Sequence, residues 1–487
     1  MGLTNTARAS VLSIDTQGVD FNPGTAYGLQ SRIAVIAQGS SASTYSSDKV
    51  LITSHAQAGK LVGFGSPAHL AIRELLPDNG DSAEGAVITL YPLQNDAAGA
   101  VAASGEVTPV GTQTVAAQYV IRVGGIESNP FAIAKDGTVA DAVAAAVLAI
   151  NGVSEMPVTA VNDTTKVTIT AKHTGTTGNN LKIEVLGTPQ GITFGITNMT
   201  GGLIDPDTNG ATAQFGNVWE TMIINAVGES ALDDLQLFGD GRWGKLVKKP
   251  LVSFYGSSET SVPTLVAAGD ARRDDRVNSI IVCPGSPSAP WIIAAKACSR
   301  VAKQANIDPA SEYQTETLNT IVNGKDGEQF DYDSRDLLWK AGISSTVIEN
   351  GVIQMSNTLT HYHPENEPNP KYGKVIYIVK LQQIIHNLNI LFDQPSWKKA
   401  PLITDADVST NRNSRKPSDF VAALNALTDS LADAAILTDR AFTKKNTVVT
   451  INAQNPNRVD PVYPVKLSGN VDINSIDLLF GFYLGGA

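Results

Sequence analysis

A short strand, a turn and the start of a helix follow one another in Ser279-Ile-Ile-Val-Cys-Pro-Gly-Ser-Pro-Ser-Ala-Pro-Trp291. Its first five residues form the apolar run that is typical of a strand buried on both faces. The prolines and the glycine that follow predict a turn, and Ser288 is a plausible N-cap for the next helix. Residues 251–255 (Leu-Val-Ser-Phe-Tyr) begin the same order of strand, turn and helix. Such alternation predicts an α/β layered domain.

The helix that begins near Trp291 carries one of the two cysteines of the chain, Cys298, on its apolar stripe with Ala294 and Val301. This position favours a buried, inert thiol. With only Cys283 besides, the chain is not a disulfide scaffold and is compatible with a reducing compartment.

Residues 28–92 extend the α/β pattern toward the N-terminus. Apolar runs at 32–37 and 86–91 predict two buried strands, with a helical pattern at 67–76 between them.

Residues 94–205 differ in character, being rich in Ala, Gly, Thr and Val with few aromatics. Strands are predicted at 115–123, 166–171 and 181–186. Thr138 and Asp141 resemble a capping box, which predicts a helix start there. We expect this segment to be an inserted β-rich domain with one helix.

Residues 417–442 predict one further helix that starts at Pro417 and Ser418. Its apolar stripe consists of Phe420, Leu424, Leu427, Leu431 and Ala435.

Basic residues flank this helix on an otherwise acidic chain: Arg412, Arg415 and Lys416 before it, and Lys444 and Lys445 after it. The two lysines also suit the helix dipole as simple capping charges, whereas the first three do not. The cluster indicates either an acidic partner surface or a plain solvated loop.

Both ends of the chain resemble strands without a nearby partner. Apolar residues alternate in the last segment at Ile476, Leu478, Phe480, Phe482 and Leu484, which is typical of a half-buried strand. Val11, Leu12 and Ile14 form a weaker pattern at the other end. The Pro/Asn-rich residues 455–464 favour an extended backbone that holds the last strand away from the body. A lone strand has to pair with its own domain or with another copy.

The composition excludes several classes of function. The 487 residues contain 42% apolar residues, enough for about two to four domains. A formal charge of −11 and a pI near 5.1 argue against a broad nucleic-acid-binding surface. We find no apolar run approaching the roughly 18 residues of a membrane span and expect no signal peptide. Residues 1–6 match the loose myristoylation pattern, to which we give little weight.

No convincing catalytic, cofactor or metal site emerges. Residues 239–246 nearly match a phosphate-binding loop, but Leu246 lacks the hydroxyl that holds Mg²⁺, and the preceding residues look helical. A turn at a helix end with Trp243 packed against the body is favoured. His361 and His363 have metal-ligand spacing, yet a Pro/Asn-rich loop surrounds them, and chance adjacency explains the pair. We therefore predict no enzyme, cofactor or metal.

In residues 215–480 the chain resembles the sheath proteins of contractile bacteriophage tails, of Mu-like and related phages. The elements that carry this resemblance are residues 240–243, the strand, Pro-Gly-Ser turn and Trp-led helix of 276–291, Asp308-Pro309, residues 336–345, Asn350-Gly351 and residues 358–362. Each motif is short, but their order along the chain is fairly specific.

The resemblance implies a structural subunit that polymerises helically around a tail tube and contracts to drive the tube through the host envelope. Subunits of the family exchange terminal strands, which assigns Val11, Leu12, Ile14, Ile476, Leu478, Phe480, Phe482 and Leu484 to inter-subunit arms. Arg412, Arg415, Lys416, Lys444 and Lys445 become candidate tube-facing charges. The implied partners are further copies, the tube, baseplate and tail terminator proteins, with no direct nucleic acid and no membrane insertion. The implied location is the virion, after assembly in the host cytoplasm.

The expected fold class is α/β multidomain, with an inserted β-rich α+β outer domain and extended terminal strand arms. The expected parts are an N-terminal arm (1–27), the first part of the core (28–93), the insertion (94–205), the second part of the core (206–400), a tube-facing helical and strand part (401–468) and a C-terminal arm (469–487).

Two alternatives stay open. One is the sheath of a related bacterial injection machine, a tailocin or secretion system. The other, which Leu246 disfavours, is a nucleotide-binding α/β enzyme.

Overall fold

A computed structural model describes residues 27–472 and 474–480. The chain divides into two compact units, residues 28–382 and residues 383–487 together with 1–27. The boundary falls inside a long helix.

The strands of the described residues are, in chain order, β1 (Arg32–Gln38), β2 (Val50–Ile52), β3 (Val87–Leu93), β4 (Ala102–Val110), β5 (Ala117–Val123), β6 (Ile126–Glu127), β7 (Phe131–Ile133), β8 (Val158–Asn162), β9 (Val167–Thr174), β10 (Ile183–Leu186), β11 (Thr193–Thr200), β12 (Met222–Asn225), β13 (Val252–Ser257), β14 (Asn278–Val282), β15 (Ser344–Glu349), β16 (Val352–Met355), β17 (Leu437–Thr438), β18 (Val448–Ile451), β19 (Val459–Val462) and β20 (Lys466–Leu467).

The α-helices of the same residues are α1 (His55–Val62), α2 (Pro67–Leu75), α3 (Val139–Asn151), α4 (Asn209–Ala213), α5 (Leu232–Arg242), α6 (Val262–Asp270), α7 (Pro290–Ile307), α8 (Tyr332–Lys340), α9 (Val375–Phe392), α10 (Pro395–Lys398), α11 (Pro417–Asp433) and α12 (Arg440–Asn446).

An eight-stranded sheet in the order β16-β15-β14-β13-β12-β1-β3-β2 forms the centre of the first unit. Its six inner strands are parallel, and β2 and β16 close the edges in antiparallel pairing. Residues Ile33 to Ala37 of β1 are fully buried, because helices cover both faces of a parallel sheet. The predicted alternation of strands and helices is confirmed, and the fold is mixed α/β.

Helix α7 packs on β12, β13 and α2 through an almost completely buried run of residues. Cys298 is buried there with its Sγ 4.0 Å from the Sδ of Met222. Burial raises the pKa of the Cys298 thiol far above its usual range and that of Cys283 to about 12. The prediction of a buried, inert Cys298 is confirmed.

The predicted N-cap of α7 is wrong by one residue. Ala289 occupies the cap position and has no side chain that could accept a hydrogen bond from the helix. The Ser288 hydroxyl instead accepts the backbone N–H of Val322 at 3.0 Å. The Ser288 hydroxyl oxygen, which the local pattern assigned to the N-terminus of α7, therefore accepts a hydrogen bond from a residue that is distant in the chain.

Two smaller antiparallel sheets lie between residues 102 and 200, ordered β11-β4-β9-β8 and β10-β5-β6, with β7 also on β5. Helix α3 packs on them, and its start is the predicted capping box: Thr138 N–H donates to Asp141 at 2.9 Å, and Asp141 N–H donates to Thr138 Oγ1 at 3.3 Å. The buried side chains of these sheets join those of the large sheet in one cluster. The domain limits proposed for the insertion stay a prediction.

Helix α9 is long and apolar enough to cross a membrane by length and composition alone, with a mean hydropathy of 1.3 over its 18 residues. Lys380 and Gln382 interrupt it, which explains why no unbroken apolar run marks it in the sequence. A core helix passes the same test, and 56% of this helix is buried inside the protein. Val375 and Ile378 belong to the main apolar core.

Three histidines of the first unit are completely buried: His69, His173 and His361. Burial lowers the pKa of His69 and His173 to about 4 and that of His361 to about 3. His361 is 2.8 Å from the Tyr255 hydroxyl through its Nε2. All three imidazoles are therefore neutral in the folded protein near pH 7.

The free energy of unfolding should fall as the pH drops from about 6.5 toward 4. In this range the histidines of the unfolded chain bind protons, whereas the buried imidazoles of the folded protein stay neutral because their pKa values are lower. Each histidine contributes up to about 1.4 kcal/mol per pH unit in this window. Denaturant unfolding at several pH values between 7.5 and 4.5 measures the slope. In the variant His361→Gln, the slope of the unfolding free energy against pH should be smaller by the equivalent of about one proton, because one buried histidine is missing and the carboxylates are unchanged. Equal slopes in the variant and the parent would contradict a neutral, buried His361.

Candidate assembly surface

Helix α11 holds the second unit together. Leu424, Leu427 and Leu431 are buried on one face, as the apolar stripe predicts. Pro417 stands at the first helical position, and the Asp419 carboxylate accepts the backbone N–H of Lys416 at 2.8 Å. The predicted start of this helix is confirmed.

The prediction of a single helix over 417–442 is wrong, since α11 ends at Asp433 and α12 begins at Arg440. Ala435 adopts a left-handed conformation with φ of 53°, and the N–H of Ile436 donates to Leu431 O at 2.9 Å. That bond closes a helix end of the Schellman type. Strand β17 then pairs with β20, almost thirty residues later. The helix therefore ends in a local motif, and the long-range pairing of β17 fixes the course of the chain that follows it.

Two sheets of only two strands each follow, β17 with β20 and β18 with β19. In the second, Asn452 Oδ1 accepts the N–H groups of Gln454 and Asn455 at 3.0 and 3.1 Å, which turns the chain back. Residues 455–464 include β19, which confirms the predicted extended backbone, whereas the expectation that they hold the last strand away from the body stays a prediction. Pro461 is tolerated there since β19 is an edge strand.

The outer edges of β18 and β19 make no backbone hydrogen bond to another residue that the structure describes. Val448 and Val462 are 53% and 61% exposed. A two-stranded sheet is marginally stable alone, and each open edge presents unpaired N–H and C=O groups. Both edges can therefore accept a further strand. The β-branched run 448–451 was the available sequence signal for this surface.

Residues 474–480 form no strand and make no backbone hydrogen bond to other described residues. Their apolar side chains stand in solvent: Ile476 is 75% exposed, Leu478 80%, Leu479 94% and Phe480 85%. Four large apolar side chains in five residues form an exposed apolar patch, and such patches are typical of surfaces that bind a partner.

The remaining residues predicted for the arms lie outside the described part of the chain. They are Val11, Leu12, Ile14, Phe482 and Leu484.

Three of the five predicted tube-facing charges make contacts within the second unit. The Arg415 guanidinium lies 5.3 Å from the centre of the Trp397 ring. Lys416 Nζ donates to the backbone oxygens of Asp405 and Asp407, and Lys444 is paired with Asp429 at 2.6 Å.

The other two, Arg412 and Lys445, are exposed, and neither has an ion-pair partner among the described residues. Arg412 precedes α11 in a loop, and Lys445 lies in the last turn of α12. These two side chains are free to meet a partner without breaking an internal contact.

The near match to a phosphate-binding loop has the predicted conformation. Residues 239–242 are the end of α5 rather than a loop after a strand, and Leu246 is 95% exposed. Trp243 packs against the core, with the Arg276 guanidinium 4.8 Å from its ring. A cavity of about 510 Å³ lies at the carboxyl ends of β12 and β13, and residues 239–246 do not line it.

The two histidines with metal-ligand spacing do not converge on a common point. His361 bonds to Tyr255, whereas His363 places Nδ1 2.6 Å from His361 O and Nε2 3.2 Å from Asp270. Both ring nitrogens of His363 are therefore already engaged.

The second unit thus presents a candidate assembly surface, which consists of an apolar segment that pairs with no described residue and of the open edges of β18 and β19. The chain is 25% identical over 311 residues to the Mu-like prophage FluMu tail sheath protein of Haemophilus influenzae. The match spans 62% of this chain and 62% of that relative's length. It confirms the resemblance to contractile tail sheath proteins drawn from the sequence. No protein-family model matches the chain.

Among solved structures, the chain is similar to the sheath tail protein of Listeria innocua, with 11% identity and a TM-score of 0.48 over 92% of this chain and 94% of that one. It is also similar to the sheath complex of the extracellular contractile injection system PVC in its contracted state. There the identity is 8% and the TM-score 0.48, over 98% of this chain and 99% of that one.

Replacing Ala435 by glycine should stabilise the second unit by about 0.5–1 kcal/mol, because glycine adopts the left-handed conformation without strain. Ala422→Gly, the same change on an exposed interior position of α11, should destabilise it by about 1 kcal/mol. Equilibrium denaturant unfolding measures both shifts. Destabilisation by Ala435→Gly would show that the helix does not end at this residue.

Proposed function

We propose that this protein is the structural subunit of a contractile tail sheath. Copies polymerise helically around a tail tube by exchanging terminal strands, and the sheath contracts to drive the tube through the host envelope. The observation that carries the proposal is the exposed segment 474–480, which pairs with no described residue, together with the open edges of β18 and β19 in the same unit. The similarity to a prophage tail sheath protein supports it.

The physical basis of assembly is strand addition. An extended segment that adds to an open edge satisfies the backbone groups of both, while its alternating side chains set the register. Ile476, Leu478 and Phe480 would face one side of the added strand and Leu479 the other. Pairing of this kind with the next copy is a heterologous contact that does not close, so it generates a helix.

Contraction in this scheme needs no nucleotide. The arms act as hinged links that stay attached while subunits rotate and slide. The extended sheath is a metastable state, and the contracted one has more contact between subunits. This supports the expectation that the protein is not an enzyme and needs no cofactor.

The finer parts of the proposal concern partners and place. Besides further copies, the sheath would contact the tube protein along its length and the baseplate and tail terminator at its ends, without contacting nucleic acid or entering a membrane. The location is the virion, after assembly in the host cytoplasm. Residues 94–205 would form the outer domain, and residues 401–468 would face the tube.

A related injection machine, a tailocin or secretion system, uses the same chemistry of assembly and remains the alternative within this class. A nucleotide-binding enzyme lacks support at residues 239–246, because they form a helix end rather than a phosphate-binding loop, and Leu246 stands where the motif needs a hydroxyl for Mg²⁺. Stoichiometric binding of ATP·Mg²⁺ in a titration would support the nucleotide-binding alternative.

If segment 474–480 adds as a strand to a neighbouring copy, substitutions on one face of that strand should affect assembly and those on the other face should not. Leu478→Asp places a charge on the buried face of the added strand and should abolish tubes or stacked rings in negative-stain electron microscopy. Leu479→Asp adds the same charge to the other face and should leave them intact. Deletion of residues 1–20 and 470–487 should leave a folded monomer.

Equal behaviour of the two aspartate variants would contradict the proposed register. Polymers formed by the double deletion would contradict arm-mediated assembly altogether. If the full-length protein stays monomeric, the test is repeated with the tube protein as template, and a failure to assemble there too would sink the proposal.

The tube-facing assignment predicts that Arg412→Glu with Lys445→Glu weakens assembly on the tube by charge repulsion while leaving the fold unchanged. Co-sedimentation with tube protein at low and high salt measures the loss, which should depend on salt. Lys60→Glu with Lys135→Glu changes the net charge equally at two exposed sites of the first unit and serves as the control. Equal co-sedimentation of the two double variants would contradict the assignment.

A further inference from the structure

Two histidines and a glutamate from three separate segments converge in the first unit. His55 is the first residue of α1, His69 lies within α2, and Glu155 lies in the turn between α3 and β8. One ligand atom of each lies within 4.8 Å of the ligand atoms of the other two. His69 is completely buried.

Each imidazole has one engaged and one unengaged nitrogen. His55 Nε2 is 3.0 Å from the Asp78 carboxylate, and His69 Nδ1 accepts the N–H of Gly65 at 3.2 Å. His55 Nδ1 and His69 Nε2 are buried without a hydrogen-bond partner among the described residues. Buried polar atoms are seldom left unpaired, so these two nitrogens point to a ligand.

The neighbours of the cluster carry both signs of charge. Glu155 is paired with Arg73 at 2.8 Å, and Arg73 also contacts Glu74. Burial does most to lower the pKa of His69, which falls to about 4; Glu155 raises this pKa, whereas Arg73, His55 and Lys172 lower it further. The imidazole is therefore neutral near pH 7 and can offer a lone pair.

We propose that His55, His69 and Glu155 bind one divalent transition-metal ion, with Zn²⁺ as the best match. Two imidazoles and a carboxylate are a common protein ligand set for zinc, with a fourth position left to water. The Asp78 carboxylate on the far nitrogen of His55 is the outer partner that zinc-bound histidines usually have. The ion would tie the segment after α3 to helices α1 and α2.

Binding requires two local adjustments. Ligand atoms around a tetrahedral zinc lie about 3.4 Å apart, since each bond is about 2.0–2.1 Å, so the three groups must close inward. The Gly65 bond places the ring proton of His69 on Nε2. That proton must therefore move to Nδ1, which leaves the Nε2 lone pair free to bind the ion. The hydrogen bond from the Gly65 N–H to Nδ1 is then lost. Glycines at 63 and 65, both at positive φ, give this loop the freedom to adjust.

The test uses the full-length protein, stripped with EDTA and titrated calorimetrically with Zn²⁺ and, separately, with Co²⁺. We expect saturable binding of one ion per chain, a rise in thermal stability with the ion and the visible absorption bands of tetrahedral Co²⁺. His55→Gln, at a partly exposed position, should abolish this binding. Asp78→Asn, which alters only the outer partner, should weaken it about tenfold or more.

His363→Gln is the matched control, because it removes a histidine whose nitrogens are both engaged elsewhere. It should bind the ion as the parent does. Circular dichroism of each metal-free variant separates loss of ligand from loss of fold. The proposal is overturned if the parent shows no one-to-one binding, or if a folded His55→Gln variant binds Zn²⁺ as tightly as the parent.

Discussion

The constraint on which the rest of this structure depends is that every strand must find partners for its backbone N–H and C=O groups. In the first unit β1 meets this constraint completely, with a parallel neighbour on each side and helices over both faces. In the second unit the outer edges of β18 and β19 and residues 474–480 make no backbone hydrogen bond to another described residue. The contrast between a closed sheet and open edges is what makes the second unit a candidate assembly surface.

The first unit is packed as a rigid body. Helix α7 is buried over most of its length, and its Trp291 and Cys298 lie in a continuous apolar core with the sheet strands. Such cores resist small displacements and move as solid bodies. A first unit packed in this way suits the rigid-body movement of subunits that the proposed contraction requires.

Two groups of histidines show that proximity in sequence does not predict whether side chains meet in the fold. His361 and His363 are neighbours in the chain, yet one faces Tyr255 and the other Asp270. His55, His69 and Glu155 are a hundred residues apart at the extremes and converge within 4.8 Å. Sequence spacing constrains ligands only within one helix, strand or tight turn. Across elements, the packing of helices on sheets decides which donors meet.

The sequence by itself determined the elements whose cause is local: the apolar runs of β1 and β14, the capping box of Thr138 and Asp141, the proline start of α11 and the buried Cys298. Only the tertiary structure decided the loss of Ser288 as a cap, the pairing of β17 with β20 and the pairing of β18 with β19. Each of these depends on a partner that lies between 8 and 34 residues away along the chain. Periodicity and capping describe interactions within about four residues, and they carry no information on which distant group will compete for the same atom.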